Sequence, residues 1–383
     1  MTSWLGLCFR RRMVSLLARA RTEAPRPFAH RAAFLLNRNA RAVTDKLVER
    51  LAGVVPAGDL FLSRTMEDAS VFARTIARRG YGQVFLGGGD GTLVTTMNLL
   101  REHSRKEALA MPTVGVLKLG TGNAMATALG AIDPFVDVHH VLHHGPATQR
   151  DVDFVETEDG LLTPFAGMGY DGAVLNDYMW LKNKAKANPL GRALAETVGG
   201  YLGAMLVRSV PNEIRRPPAQ LKIRSTHDAV FMRHTQRGDV EETLPAGTLL
   251  FEGKAATVCV GSIPYFGFGF TMFPFAMTKP GHMQMRIVGV PVPSILAHLY
   301  PGVWKGTWRH HQLRDFMVKD VEVESDQPLP YQIGGDAAGS QTRLRFKVAS
   351  EPVKMTTLGE RLVPQGHTML QLGPAKMLVR LPR

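Results

Sequence analysis

The hydrophobic positions fall into two textures. From Ala32 to about residue 150, short apolar runs alternate with segments of helical spacing. Ala32-Ala33-Phe34-Leu35-Leu36 reads as a buried strand closed by Asn37, after which Val43, Leu47, Val48 and Leu51 share one helix face. Thr65-x-x-Asp68 has the form of a capping box and opens a helix with Ala69, Phe72 and Ile76 inward. Val84-Phe85-Leu86 is the next strand, Leu93, Val94, Met97 and Leu100 mark the helix after it, and Thr113 to Leu117 a further strand. Alternating strands and helices predict a parallel α/β sheet with its ligand site at the C-terminal ends of the strands.

Beyond about Arg150 the period shortens to two. Asp151-Val152-Asp153-Phe154-Val155 and Leu221-Lys222-Ile223 alternate as strands do, and β-like segments run through Val258 and from Met283 to Val288. These predict a second, β-rich domain. Within it Leu190, Leu194, Val198, Tyr201, Met205 and Leu206 keep helical spacing, which suits a core-packed helix or one in contact with lipid. The predicted organisation is a basic N-terminal segment (1–30), an α/β nucleotide-binding domain (31–150), a β-rich domain (151–350) and a C-terminal segment (351–383).

Composition narrows the function classes. A chain of 383 residues that is 45% hydrophobic can bury two ordinary cores. No apolar run approaches the about 18 residues needed to span a bilayer. Cys8 and Cys259 form no metal-spaced or disulfide-like pattern, so a reducing, cytoplasmic compartment is expected. The net charge of +13 draws the chain toward nucleic acid or anionic lipid. No reading helix or basic-aromatic stacking motif accompanies it, so no nucleic-acid partner is expected and peripheral attachment to a lipid surface is. Residues 1–21 carry Arg10, Arg11, Arg12, Arg19 and Arg21 beside Trp4, Leu5, Leu7 and Phe9, with no acid. A membrane-surface helix, a transit peptide and a disordered basic tail all fit, whereas the arginines interrupt what a secretory signal would need.

Candidate chemistry concentrates in glycine turns. Gly87-Gly88-Gly89-Asp90-Gly91-Thr92 joins a strand to a helix, where glycines let backbone N–H groups approach a phosphate and the helix N-terminus favours its charge. The lysine of a P-loop is absent, so Asp90 is expected to act through Mg²⁺, a ribose hydroxyl or a substrate hydroxyl. Leu119-Gly120-Thr121-Gly122-Asn123 follows the next strand. Gly167-Met168-Gly169-Tyr170-Asp171-Gly172 fits Gly-x-Gly-x-x-Gly, but Asp171 within it and the lack of a plain βαβ unit argue against a dinucleotide site. His139, His140, His143 and His144 pair along a helix ending before Gly145, where histidines suit the dipole without a metal. The aromatic run Tyr265 to Phe275 suits a packed core or a tail-binding cleft.

Gly88-Gly89-Asp90-Gly91-Thr92 resembles the signature of the diacylglycerol kinase and sphingosine kinase superfamily, whose distant relatives include NAD kinases. Leu119 to Asn123 resembles its second nucleotide-binding segment, Gly167 to Gly172 its Gly-x-Gly-x-Asp element, and Gly261 to Pro274 its aromatic-glycine turn. Tyr331-Gln332-Ile333-Gly334-Gly335-Asp336 takes the place of its late Asp-Gly-Glu motif. Five motifs in order, from about Ala32 to the C-terminal region, are harder to mimic than any one match.

The resemblance implies a Rossmann-like parallel α/β domain followed by a β-rich, sandwich-like domain, with the chain's end returning to the first. It implies transfer of the γ-phosphate of Mg-ATP to a lipid hydroxyl, of diacylglycerol or a related lipid, at an anionic membrane surface; it leaves the oligomeric state open, a homodimer included. Asn37, Gly88, Gly89, Asp90, Gly91, Thr92, Gly120, Thr121, Gly122 and Asn123 would hold the nucleotide. Asp90 and Asp336 would be catalytic, Asp336 as general base, and Asp171 would support the Mg²⁺ network, directly or through water. The chain departs from the pattern at Ala124 and Gly334, where relatives carry acids, and at Lys279-Pro280-Gly281, where an aspartate commonly precedes the glycine. The alternatives are a non-catalytic lipid- or nucleotide-binding relative, a sphingoid-base kinase, and an NAD kinase, for which no Asn-Glu pair follows the first glycine turn.

Overall fold

The computed structural model describes residues 28–144, 148–185, 211, 219–235, 238–358, 367–372 and 375–380. Most of the basic N-terminal segment and the helix-spaced positions from Leu190 to Leu206 lie outside these residues.

The first four strands of the first sheet are parallel because each early strand is followed by a crossover helix. Strands β1 (Ala32–Asn37), β2 (Leu60–Ser63), β3 (Gln83–Gly88) and β4 (Thr113–Lys118) alternate with α1 (Asp45–Ala52), α2 (Met66–Arg79) and α3 (Asp90–Lys106). Thr65 caps α2 in a complete capping box with Asp68, and Gly80 closes that helix in the left-handed region. The order is β2-β1-β3-β4, extended by β20 (Val353–Thr357), which runs parallel to β4, and by β5 (Thr148–Val152), antiparallel to β20. Asp151–Val155, whose alternation reads as one strand, is therefore divided. Asp151 and Val152 end β5 in the first sheet, and Val155 begins β6 (Val155–Glu156) in the second. Two short helices follow β4, α4 (Ala124–Ala128) and α5 (Pro134–His144).

Among the described residues the second sheet has twelve strands, all paired antiparallel. Its centre is β8 (Phe165–Gly169), flanked by β13 (Thr257–Gly261) and by the long hairpin of β18 (Asp320–Ile333) and β19 (Asp336–Val348). β8 and β13 are buried along their whole lengths, whereas β9 (Ala219–Ser225) alternates buried and exposed positions as a half-covered strand does. The apolar core of this domain gathers Met168, Ile223, Val258, Val260, Met285, Ile287, Phe316 and Val323, and is separate from the core around Phe34, Phe85 and Met97.

A charged cluster crosses the far strands of this sheet. Asp315, fully buried, accepts from Arg286 Nε (2.7 Å), Arg286 Nη2 (3.0 Å), Gln284 Nε2 (2.7 Å) and His234 Nε2 (3.0 Å). His234 Nδ1 reaches Asp239 (2.6 Å), which Arg309 also contacts at 3.4 Å. Burial alone would raise Asp315, but the Arg286 charge and the donated hydrogen bonds outweigh it and hold its pKa at about 2. His234 is raised, first by its bond to Asp315 and then, against desolvation, by Asp239.

Removing one partner of this cluster strands the others. Asp315→Asn is expected to lower the unfolding free energy by about 3–5 kcal/mol, read from urea midpoints, because Arg286 would keep its buried charge without a counter-ion. The stabilisation from Asp315 is present above about pH 4 and is lost as pH falls toward about 2. That from His234 is present below about pH 6.5 and is lost as pH rises through its raised folded value. Asp315→Asn should flatten both limbs of the stability profile; an unchanged profile would contradict the assignment.

Candidate functional site

The site forms where β3 and β4 end. β3 runs through Gly88, Gly89 alone turns the chain, and α3 starts at Asp90, so the glycine segment is a one-residue turn rather than an extended loop. After β4 the chain turns through Gly120, Thr121 and Gly122, with Asn123 in the left-handed region at φ 52°. The two turns touch backbone to backbone. A Cβ on Gly120 would lie 2.8 Å from Gly88 O and 3.1 Å from Gly89 N, closer than real side chains come. Gly89 is looser, since a Cβ there would meet only Gly120 Cα, at 3.9 Å.

Side chains lock the turns. Asn123 Oδ1 accepts from Gly120 N (2.8 Å) and its Nδ2 donates to Gly120 O (2.6 Å), closing the second turn on itself. Asp90 accepts from the backbone of Ala124 (3.2 Å) and Met125 (3.4 Å), so the first turn's carboxylate satisfies the opening donors of α4. Burial pushes the Asp90 carboxyl up, opposed by these backbone donors. Asn37, at the end of β1, donates to Thr92 Oγ1 at 3.0 Å and steadies the first turn of α3. Thr121 is exposed at the lip of the second turn.

The second domain delivers Asp336 to this place. β18 and β19 are joined by Gly334 and Gly335, both with positive φ (60° and 90°), as a two-residue hairpin turn requires. Asp336 Oδ2 lies 3.0 Å from where a Cβ of Gly91 would be, which sets its exposed carboxylate over the first turn of α3. Gly334 N bonds Phe165 O (2.9 Å) and Gly335 N bonds Gln332 Oε1 (2.9 Å). Gln332 Nε2 in turn donates to Asp171 Oδ2 (3.2 Å). Thr257 Oγ1 lies 2.9 Å from Met168 O and 2.8 Å from Asp171 Oδ1. Burial pushes the Asp171 carboxyl up, opposed by the hydrogen bonds it accepts from Thr257 and Gln332.

Asp171 thus bonds partners within its own domain, while Asp90 and Asp336 meet at α3. It also edges a cavity of about 180 Å³ walled by Val174, Phe266, Phe270, Leu296, Leu299 and Trp304. A hairpin of β14 (Tyr265–Gly267) and β15 (Phe270–Thr271) separates this cavity from the second glycine turn: Phe268 N bonds Gly122 O (2.9 Å), and Phe266 packs on Phe165 with ring centroids 4.6 Å apart. Sequence reasoning gave no role to Gln332, which lies in the late motif, or to Thr257, whose one signal is a polar residue opening an apolar strand; together they hold Asp171. Ala124 is fully buried, so the position where relatives carry an acid faces the core in this chain.

The residues suit a magnesium nucleotide. Among the described residues no three metal-ligating side chains converge, and Mg²⁺ commonly binds through one or two carboxylates plus substrate phosphates rather than in a protein cage. An exposed Asp336 above glycine turns that carry no Cβ fits that mode.

Comparison with known proteins follows the same division. Residues 31–155 match the model of the diacylglycerol kinase catalytic domain, and residues 210–357 that of the YegS C-terminal NAD kinase beta sandwich-like domain. No curated protein matches in sequence. A diacylglycerol kinase from Bacillus anthracis str. Sterne shares the fold with a TM-score of 0.54 at 16% identity, over 86% of this chain and 97% of its own. Another structure from that organism, described provisionally as a diacylglycerol kinase, gives 0.57 at 16% identity, over 88% and 98%.

The unequal room at the two glycines generates a test. Gly120→Ala is expected to cost about 1–3 kcal/mol of stability through overpacking of backbone on backbone, whereas Gly89→Ala should stay within about 1 kcal/mol of the parent. Urea unfolding of the two variants checks this; equal losses would mean that the turns do not touch as described.

Proposed function

Because the chain belongs to the diacylglycerol kinase superfamily, with that family's catalytic domain followed by a YegS-type C-terminal domain, we propose that it transfers the γ-phosphate of ATP to a lipid hydroxyl. The observation that carries this reading is Asp336, brought from the second domain onto the first turn of α3 where the glycine turns meet. The turns leave room for phosphate oxygens against the backbone, and the N-terminus of α3 favours their charge. Bound Mg²⁺ would neutralise charge on the phosphates, held on the protein side by Asp336. Asp336 is also the group placed to take the acceptor's proton. Asp90 positions the second turn through Ala124 and Met125. The apolar cavity beyond the aromatic hairpin suits part of an acyl or alkyl chain, with a diacylglycerol-like acceptor as the first choice.

A second reading, nucleotide binding without transfer, is favoured by the lack of acids at Ala124 and Gly334. Purified chain incubated with Mg²⁺, γ-labelled ATP and a panel of diacylglycerol, sphingoid-base, glycerophospholipid and NAD acceptors separates the two. Label in one lipid is the expected result, and ATP binding with no label in any acceptor would support the second reading. Asp336→Asn is expected to lower kcat by about 10²–10⁴-fold while the urea midpoint stays near the parent's. Asp90→Asn turns an amide N–H toward backbone donors; it should cost about 1–3 kcal/mol of stability and raise the KM for ATP. Full turnover in Asp336→Asn would remove Asp336 from the mechanism.

A further inference from the structure

The stretch between Glu252 and Asp315 holds no acidic residue over 62 positions, while it carries Lys254, Lys279, Arg286, Lys305, Arg309 and Arg314. Arg286 is used internally on Asp315. Lys305 remains at the surface, on the segment that walls the apolar cavity: Ile295, Leu296, Leu299, Val303, Trp304 and Trp308 face inward there. Tyr300, between Leu299 and Pro301, points the other way and is 73% exposed, the most exposed large apolar side chain among the described residues. Lys305 Nζ lies 5.8 Å from the Tyr300 ring centroid, and His298 stacks on Trp308 at 5.0 Å. Arg309 ties the end of the segment to the sheet through Gly306 O (2.7 Å) and Asp239 (3.4 Å).

The cavity is also too small for a whole lipid. At about 180 Å³ it falls below the roughly 300–1,000 Å³ of sites that enclose a drug-sized ligand. A lipid chain entering it must leave most of its length elsewhere, and the apolar phase able to hold that length is the bilayer. An aromatic side chain with a polar tip, set beside a lysine on an acid-free segment, matches the headgroup layer of an anionic membrane, where Tyr and Trp collect and each cation adds attraction.

We propose that the segment from Val292 to Arg309 is the membrane-docking face, seating Tyr300 and Lys305 among anionic headgroups so that the cavity behind it opens toward the bilayer. The inference rests on the lipid-acceptor reading for the choice of partner.

The test uses the full chain with Trp4→Phe and Trp180→Phe, which leaves Trp304 and Trp308 as its tryptophans. It is titrated without nucleotide into vesicles of phosphatidylcholine with phosphatidylglycerol, with and without bromine on the acyl chains. Binding to the anionic vesicles with quenching of the remaining tryptophans is expected, and phosphatidylcholine alone should bind at least about tenfold more weakly. Tyr300→Ser with Lys305→Glu should weaken binding about tenfold or abolish the quenching, while Lys319→Glu, in the basic cleft beside Arg150 and His282, should do neither. No vesicle binding, binding without quenching, or parent-like binding and quenching in the double variant would each overturn the proposal. Phosphoryl transfer does not enter this assay, so a failure of the kinase reading leaves its outcome unchanged.

Discussion

The constraint on which the site depends is the backbone contact between the turn after β3 and the turn after β4. Gly120 admits no side chain there, and the carboxylate of Asp90 reaches across the contact to the amides of Ala124 and Met125. No helix satisfies its own opening donors, and a buried unsatisfied amide is costly, so for α4 an acceptor must come from outside it. Asp90 supplies that acceptor, and the donors offset the burial of its charge. The second turn then fixes the aromatic hairpin through Gly122 O and Phe268 N, and Phe266 reaches Phe165 beside the Asp336 turn. The second domain is in this way registered on the first through the glycine turns themselves.

The same closeness accounts for two departures from the family pattern. A Cβ at Gly334 would lie 3.0 Å from both Thr163 Oγ1 and Val94 Cγ2, so a larger residue there would press on α3. Ala124 has no exposed surface at all. Acids at these positions would require a wider gap between the second sheet and α3, or a different seat for α4. Their absence belongs with a tightly closed junction, which the exposed carboxylate of Asp336 enters from the second domain.

Much of this was legible in the chain. Apolar runs, helical spacing and the Thr65 capping box mark the α/β half, because local periodicity and capping chemistry decide those elements. The β-rich character of the rest follows from its shorter period. The glycine turns were legible as a site, and the structure brings Asn37, Asp90, Thr92, Asn123 and Asp336 around one helix start. Pairing between distant strands was not legible. That β5 closes on β20, or that Asp151–Val155 divides between sheets, depends on partners two hundred residues apart, which alternation alone does not name. The place of Asp171 was hidden for the same reason, since Thr257 and Gln332 come from separate strands.

The three carboxylates of the site region are separated by environment rather than by residue type. Asp171 is enclosed by Thr257, Gln332 and the buried thiol of Cys259, which is itself pushed up by burial and then by the Asp171 charge. Burial raises this carboxyl against the hydrogen bonds it accepts, and those bonds tie the strands of Thr257 and Gln332 together. Asp90 is raised too, but its oxygens are committed to backbone donors. Asp336 is exposed, sits at a helix N-terminus where negative charge is favoured, and is held by a turn whose amide bonds Gln332. In the phosphoryl transfer proposed above it is the exposed carboxylate that would meet a metal or accept a proton, and Gln332, bonded to both Asp171 and the amide of Gly335, holds the turn that carries it.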